Sequence, residues 1–389
     1  SSLPSAPSPP SAMTPPMLQD YDIGTYTLLH THRLAPGDDL GRMARAIDRL
    51  ATLHPMLRSV HTRPVFRIRE RASYTLDEGE LSSDDAALCG DLLQEPLDLA
   101  VAVFRARLYR VQGQPAFLAV STHHIVLDGT SQQILFKSLA QILEEERAGG
   151  GELGSQAQDS EARIARDAIA HHLHALDAPP WEESAQLGSF QLPFERAAPG
   201  MPKAASLQRI LSNETVAKLR RIASSSALTL NALLLGTLAS FVHELCSQQR
   251  FSIAQSYLGR QMDQLRTLGS FSGSAPMVFS FEGAPSLRAT CRHVLEETQR
   301  MMATKFLGAA TGATVHYELN DLRPMRIPSA GDTVQSHAIP GLMILVVEYA
   351  DGFLLLVFYN VGKYHEAGVQ TFLAEWMHTL DNFSLEALG

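Results

Sequence analysis

The sequence contains few cysteines and fewer basic than acidic residues, and each of these features argues against a class of function. Three cysteines, Cys89, Cys246 and Cys291, occur in 389 residues, and neither their odd number nor their wide spacing fits a metal site. We therefore expect reduced core thiols in a cytoplasmic protein. Lys and Arg number 32 against 41 Asp and Glu, and the resulting net charge of −9 argues against nucleic-acid binding. A local basic patch for an acidic partner is not readable from the pattern.

Long hydrophobic runs are missing as well, so the sequence predicts no membrane span. The longest apolar stretch, residues 228–241, is too short and too interrupted to cross a bilayer and predicts a buried helix. Residues 1–16 are rich in Ser, Pro and Ala and lack the charged and apolar regions of a signal peptide, which indicates a linker or docking tail.

Strand-like and helix-like segments alternate along the chain, which predicts an α/β fold. The length suffices for two lobes with separate cores. A glycine-rich passage at residues 149–160 is the best candidate for their connection, which gives an N-terminal lobe over residues 17–160 and a C-terminal lobe over residues 161–389. Within the second lobe the pattern predicts a hairpin over residues 342–359 and a terminal amphipathic helix.

The most informative segment is an HHxxxDG string made of His123, His124, Asp128 and Gly129. An apolar run at residues 116–122 precedes it and predicts a strand, and an amphipathic stretch at residues 130–147 predicts the following helix. Neighbouring side chains of a strand point to opposite faces, so we expect one histidine in a cleft and the other within the scaffold. The motif therefore closes a strand and opens a helix.

These residue types suit the handling of a proton. The pKa of histidine lies near neutrality, so a positioned imidazole can take a proton from an attacking amine or hydroxyl, or can orient that nucleophile. The sequence does not separate these two roles. Asp128 lies beside apolar residues and needs a cationic partner if it is buried. Gly129 permits a tight turn and a close backbone approach, and its N–H could point toward a substrate.

Two more segments accompany the motif. The string LHPMLRS at residues 53–59 follows an amphipathic helix that Pro55 interrupts. Further on, Gly259 and Arg260 precede the string LGSF at residues 268–271 and Pro276. Together with HHxxxDG, these segments resemble the condensation domains of nonribosomal peptide synthetases, including those of hybrid polyketide–nonribosomal peptide systems.

The resemblance implies a fold and an activity. It implies two lobes of the chloramphenicol-acetyltransferase type that form a V with a central substrate tunnel. In the implied reaction, an acceptor amine or hydroxyl attacks an acyl thioester held by an acyl or peptidyl carrier protein, and an amide or ester forms. The phosphopantetheine arm comes from the carrier, so the chain itself is expected to bind no cofactor and no metal and to act as a monomer.

The resemblance also implies roles for the motif residues. It makes His124 the cleft histidine, with Gly129 beside it in the catalytic site. His123, Asp128 and Arg260 are implied to support the site, with Arg260 as the ionic partner of Asp128. No GxSxG nucleophile motif is present, which favours direct transfer over an acyl-enzyme intermediate.

Some positions depart from the family pattern and leave alternatives open. Gly273 stands where the family has an asparagine, residues 14–19 are a vestigial first motif, and residues 162–181 show no fourth motif. The acceptor need not be an ordinary aminoacyl group. Residues 255–260 contain no carboxylate, which argues against epimerisation. An acyl-CoA-dependent O- or N-acyltransferase and a non-catalytic module that recruits a carrier protein or tailoring enzyme are the remaining alternatives.

Two charged or metal-like clusters receive simpler interpretations. His171, His172 and His174 are spaced i, i+1 and i+3, which does not form a chelating helix face. The acidic run at residues 144–146 is interpreted as a solvated helix end.

Overall fold

Strands and helices alternate along the part of the chain that the computed structural model describes. The described residues are 27–62, 65–124, 126–149, 187, 190–200, 203–257, 260, 267–271, 273–304, 313–322, 334–336 and 341–388. The tail at residues 1–16, the predicted connection from residue 150 onward and the three histidines at 171–174 lie outside them, as do residues 14–19 and 162–181. The predictions made there stay predictions.

The elements of the first half are β1 (Thr27–Arg33), α1 (Leu40–Leu53), β2 (Ser59–Thr62), β3 (Val65–Ile68), β4 (Leu76–Leu81), β5 (Phe104–Val111), β6 (Gln114–His123) and α2 (Gly129–Arg147). Those of the second half are β7 (Ala204–Leu211), α3 (Asn213–Ser225), α4 (Leu230–Cys246), β8 (Arg250–Tyr257), β9 (Gly273–Ser280), α5 (Leu287–Thr304), β10 (Val315–Leu322), β11 (Val334–Ser336), β12 (Leu342–Tyr349), β13 (Gly352–Asn360) and α6 (Glu366–Asp381). Short 3₁₀ helices span Pro55–Arg58, Ala86–Gln94 and Leu385–Leu388. The predicted strand, helices and hairpin are confirmed with slightly longer bounds.

The chain divides into two compact units that are not continuous in sequence. The first unit consists of Ser1–Asp177, Leu258–Ser272 and Pro328–His337, and the second holds the remaining residues. Two segments from the second half of the chain therefore belong to the first unit. A single boundary in the sequence cannot describe such a division. The predicted boundary at residue 160 lies outside the described residues, and the V-shaped arrangement with its tunnel stays a prediction.

The first unit is built on a five-stranded sheet with the order β11-β1-β6-β5-β4. Alternate residues of β6 serve two cores: Leu118 and Val120 pack beneath α1 and α2, whereas Phe117 and Ala119 pack beneath the 3₁₀ helix Ala86–Gln94. This alternation follows from the period of two along a strand. Because β6 is central and buried on both faces, it is a rigid base for the residues that follow it.

The second unit is built on a six-stranded sheet with the order β7-β13-β12-β10-β8-β9. The strand β10 runs parallel to β8 and β12, whereas β13 pairs antiparallel with both β12 and β7. Helices α4 and α6 supply much of one large core, in which Trp376 is fully buried. The strands β12 and β13 pair antiparallel, with Tyr349 opposite Gly352 at the turn, which confirms the predicted hairpin.

Two sequence interpretations need correction. The acidic run at the end of α2 is not simply solvated, because Glu146 pairs with Arg45 and Arg49 of α1 while Glu145 also pairs with Arg49. The side chain of Glu146 is only 8% exposed, so the run joins two helices. Among the cysteines, Cys89 and Cys291 are buried in cores as expected, but Cys246 is only partly buried.

The apolar helix predicted over residues 228–241 is α4, and nine of its residues are buried inside the second unit. In the described part of the chain, no single helix is both long and apolar enough to cross a membrane, although α3 and α4, bent by 101°, pass that test as a pair.

Candidate active site

The two motif histidines occupy different environments at the end of β6. His123 is the last residue of the strand, is 2% exposed and lies opposite Thr27 of β1. His124 follows in a turn and is partly exposed. The N–H of Val126 closes this turn by donating to the carbonyl of His123, at 3.2 Å. The structure therefore buries the first histidine in the sheet and places the second in the turn after the strand, so the prediction of a cleft histidine stays a prediction.

The imidazole of His124 is held in its neutral form. Burial lowers its pKa below the usual 6.5, and both its own backbone carbonyl and the negative charge of Asp128 oppose that shift without reversing it. The Nδ1 atom is enclosed and has no hydrogen-bond partner on another described residue. A neutral imidazole has one ring nitrogen that can accept a proton.

Asp128 is the N-cap of α2. Its Oδ1 accepts a hydrogen bond from the N–H of Ser131 at 2.8 Å, which satisfies one of the amides that a helix start leaves unpaired. The same oxygen accepts from Nη2 of Arg260 at 2.7 Å, and Oδ2 accepts from the N–H of Phe271 at 2.9 Å. The carboxylate is therefore engaged with the start of α2, with Arg260 and with Phe271.

The predicted pair of Asp128 and Arg260 is present and fully buried, since both side chains are 0% exposed. Burial raises the pKa of Asp128, but the charge of Arg260 and the hydrogen bonds from Arg260, Ser131 and Phe271 outweigh it and lower the pKa overall. The carboxylate is therefore ionised. Nη1 of Arg260 also donates to the carbonyl of Thr267 at 2.7 Å, which ties the guanidinium to its own loop.

Ser131 is a site-supporting residue that the sequence analysis missed. Its hydroxyl donates to the carbonyl of Gly269 at 2.6 Å and accepts from the N–H of Gly269 at 2.9 Å. Nη2 of Arg260 also reaches this hydroxyl at 2.6 Å. Asp128 just before an amphipathic run is a signal for the helix cap, but no local pattern marks the bonds between Ser131 and Gly269, which are 138 positions apart.

Phe271 is the last residue of the loop at residues 267–271, which bonds to Asp128 and Ser131. Its ring is fully buried and lies 4.5 Å from the guanidinium carbon of Arg260. Gly269 leaves room for that ring, because a Cβ on Gly269 would come within 2.5 Å of Phe271 Cε2. Packing therefore explains the glycine of the LGSF string, because the ring of Phe271 lies close to the backbone there.

Gly129 is the first residue of α2, and its backbone is not in the left-handed region. The prediction of a tight turn at Gly129 is therefore wrong, because Gly129 is the first residue of a helix that Asp128 caps. The Gly129 N–H is one of the first amides of that helix, which have no carbonyl one turn earlier within it. Gly259 lies outside the described residues, and Gly273 begins β9 in the second unit.

The described residues contain no group of three or more His, Cys, Asp and Glu side chains placed to hold a metal ion. What the motif and Arg260 do assemble is an imidazole, a buried ion pair and a helix start. Such a set can accept a proton and can present backbone amides to a developing negative charge.

Comparison with known proteins identifies the family of the chain. The family model of the condensation domain matches residues 22–310. A plipastatin synthase of Bacillus subtilis (strain 168) is 27% identical over 250 residues, which is 60% of this chain and 9% of that protein. Surfactin synthase subunit 2 of the same organism is 25% identical over 232 residues, 57% of this chain and 6% of that protein. The chain thus spans less than a tenth of the length of these curated relatives.

Two solved structures share the fold over nearly the whole chain. The first condensation domain of the calcium-dependent antibiotic synthetase, in complex with a substrate analogue, is 16% identical, with 100% of this chain and 98% of that chain covered and a TM-score of 0.68. The X-domain in its complex with OxyB from teicoplanin biosynthesis is 17% identical, with 98% and 94% covered and a TM-score of 0.68. At these identities the likeness shows the fold, and it confirms the predicted α/β class. Since the family model covers well over half of the sequence, the chain belongs to the condensation-domain family.

Proposed function

We propose that the chain catalyses the attack of an acceptor amine on an acyl thioester held by a carrier protein, which forms an amide in secondary-metabolite biosynthesis. The observation that carries the proposal is the position of His124 in the turn between β6 and α2, followed by an aspartate whose oxygens are engaged by Ser131, Arg260 and Phe271. The plipastatin and surfactin synthases among the sequence relatives support the same reaction class.

In the proposed step the acceptor nitrogen bonds to the thioester carbonyl carbon, and a tetrahedral oxyanion forms. Nε2 of His124 takes the proton that the attacking nitrogen loses. The C–S bond then breaks, and the departing thiolate receives the proton from the imidazolium. The Gly129 N–H, at the positive end of α2, is suited to donate to the oxyanion.

His123, Asp128 and Arg260 serve this step indirectly in the proposal. Asp128 fixes the start of α2 and Arg260 fixes the loop at residues 267–271, and their charges neutralise each other in a buried setting. His123 anchors the end of β6. The influence of Asp128 on His124 is electrostatic, because its negative charge opposes the fall in the pKa of the imidazole.

Intact mass spectrometry of a donor-loaded carrier protein, with a mixed pool of amine and alcohol acceptors, tests the proposal. Loss of the acyl group from the carrier with a new amide, abolished by His124→Ala, supports it. His378→Ala is the matched control, because that histidine lies on α6, outside the motif. Unchanged turnover in His124→Ala contradicts the proposal, and an ester product would assign the hydroxyl as the attacking group.

A recruitment module is the second candidate, and one observation favours it. A structural neighbour is an X-domain bound to OxyB, so this fold also occurs in a protein–protein complex. Carrier binding without any transfer, in the same mass-spectrometric assay, would support this candidate. Transfer from acyl-CoA but not from a carrier would instead identify an acyl-CoA-dependent acyltransferase. A monomeric state and a cytoplasmic location stay predictions from the sequence.

A further inference from the structure

The arginines of the first unit divide sharply by position. Nine of its described arginines form ion pairs with carboxylates, and they lie throughout the unit: Arg33, Arg42, Arg45, Arg49, Arg105, Arg107, Arg110, Arg147 and Arg260. The other four described arginines of that unit, Arg58, Arg67, Arg69 and Arg71, pair with no carboxylate in the described residues, and all four lie within residues 58–71. Chance scatter of surface charge would not concentrate the unpaired arginines in one hairpin.

The local charge of this hairpin opposes that of the whole chain. Residues 58–71 contain five arginines and a single acidic residue, Glu70, within a chain of net charge −9. Arg67, Arg69 and Arg71 are exposed, and the one side-chain bond of the three is a long one of 3.5 Å from Arg69 to the carbonyl of Ala100. These three guanidinium groups, the hairpin arginines, keep most of their donors for a partner.

Arg58 holds the hairpin in place. Its Nε donates to the carbonyl of Ala51 at the end of α1, and its Nη1 donates to the carbonyls of Arg69 and Glu70 at 2.8 and 3.2 Å. The N–H of Arg69 donates back to the carbonyl of Arg58 at 2.9 Å. This last bond continues the β2–β3 pairing, in which Val60 lies opposite Arg67, so Arg67 and Arg69 share one side of the hairpin.

We propose that the hairpin arginines form a docking surface for the carrier protein and bind the phosphodiester of its phosphopantetheine arm together with acidic side chains around it. A phosphopantetheine arm is joined to its carrier through a phosphodiester, so any surface that receives a loaded carrier meets an anion. Guanidinium groups match phosphate and carboxylate with paired N–H donors, and arginines that lack internal carboxylate partners are free to do so. The inference rests on the proposed function, since it names the partner of that reaction.

The test compares a carrier-bound donor with the same acyl group on small thioesters. The variant Arg67→Glu/Arg69→Glu/Arg71→Glu should raise KM for the loaded carrier about tenfold or more, because reversed charge slows association. Its kcat, and its turnover of the acyl-pantetheine thioester without phosphate, should stay at the wild-type level. The acyl-phosphopantetheine thioester should show an intermediate loss, which measures the part of the effect due to the phosphate.

The matched control is Arg209→Glu/Arg221→Glu/Arg292→Glu. These arginines are also exposed and form no ion pair in the described residues, but they lie in the second unit. The control should keep the wild-type KM, and circular dichroism should show both triple variants folded. Raising the salt concentration should weaken carrier binding in the wild type and in the control but much less in the hairpin variant.

The outcomes separate this inference from the proposed function. If the wild type transfers acyl groups and the hairpin variant keeps its KM for the carrier, the docking surface is wrong and the proposed function stands. If no protein transfers an acyl group, the proposed function fails, and fluorescence anisotropy of a labelled loaded carrier then decides the inference. Loss of carrier binding in the hairpin variant supports the docking surface. Carrier binding equal to that of the wild type overturns it. A hairpin variant that loses binding to duplex DNA or anionic vesicles but keeps binding to the carrier also overturns it.

Discussion

Removing either partner of the buried Asp128–Arg260 pair should destabilise the first unit strongly. Both side chains are 0% exposed, and Asp128 accepts hydrogen bonds from Arg260, Ser131 and Phe271. Arg260→Met leaves a buried carboxylate without its counter-ion, a change that costs about 3–5 kcal/mol in comparable sites. Asp128→Ala leaves a buried guanidinium and also removes the helix cap, which adds about 1 kcal/mol.

The double variant should cost much less than the sum of the two. Once Asp128 is gone, Arg260→Met removes a charge that has lost its counter-ion, so a double-mutant cycle should give a coupling of about 2 kcal/mol or more. Guanidinium chloride unfolding, followed by circular dichroism and tryptophan fluorescence, supplies the four free energies of unfolding. Additivity of the two single changes within about 0.5 kcal/mol would refute the buried pair as a coupled unit.

Amide hydrogen exchange gives a local readout of the same pair. The N–H groups of Ser131 and Phe271 both donate to Asp128. In Asp128→Ala these two amides should exchange about 100-fold faster, which corresponds to a loss of roughly 3 kcal/mol of local protection. The amides of β12, in the second unit, are the internal control. Unchanged exchange at both amides would contradict the hydrogen bonds that define the site.

Three further predictions follow from single residues. Burial lowers the pKa of His124 below 6.5, so the neutral base persists as the pH falls, and kcat/KM should stay level through pH 6.5 and decline only below it; an inflection above 6.5 would contradict the neutral imidazole. The ring nitrogens of His30 are buried and have no hydrogen-bond partner among the described residues, and burial lowers its pKa to about 3, so the unfolded chain binds a proton near pH 6.5 that the folded chain does not bind until about pH 3. Stability from this group is full above pH 6.5 and is lost below it, so the wild type should lose about 2 kcal/mol more than His30→Leu between pH 8 and pH 5; equal losses would refute this. Gly269→Ala should destabilise by about 1–3 kcal/mol because its Cβ would meet the ring of Phe271, and a melting temperature equal to the wild type would show that the loop yields.

The sequence predicted the elements around the motif because local signals agree there. The apolar run of β6, the helical spacing in α2 and the alternating runs of β12 and β13 each bury the face that their period predicts. The pair of Asp128 and Arg260 was predictable only from the family resemblance. No local pattern connects two residues that are 132 positions apart.

The features that escaped prediction depend on tertiary contacts. Glu146 looks like a solvated charge in the sequence, and only the packing of α1 against α2 brings it to Arg45 and Arg49. His30 lies in a strand of polar and apolar residues. Its surroundings depend on tertiary packing, which places the ring of Phe136 of α2 4.0 Å from the imidazole. The hairpin arginines have no carboxylate partner among the described residues. This too depends on tertiary structure, which the composition of the sequence does not show.

The arrangement of Asp128 explains why the motif places the aspartate four residues after His124 and not beside it. An aspartate bonded to the imidazole would raise the pKa of His124 and favour the imidazolium, which cannot accept a proton. With its oxygens engaged by Ser131, Arg260 and Phe271, the carboxylate shapes the backbone that carries Gly129 while its charge is neutralised close by. In the proposed mechanism, the group that accepts the proton is thus separate from the groups that position it. The variant Asp128→Asn, which removes the charge that raises the pKa of His124, should lower that pKa further and reduce kcat/KM through weaker bonds to Arg260 and Phe271; an unchanged kcat/KM would contradict this.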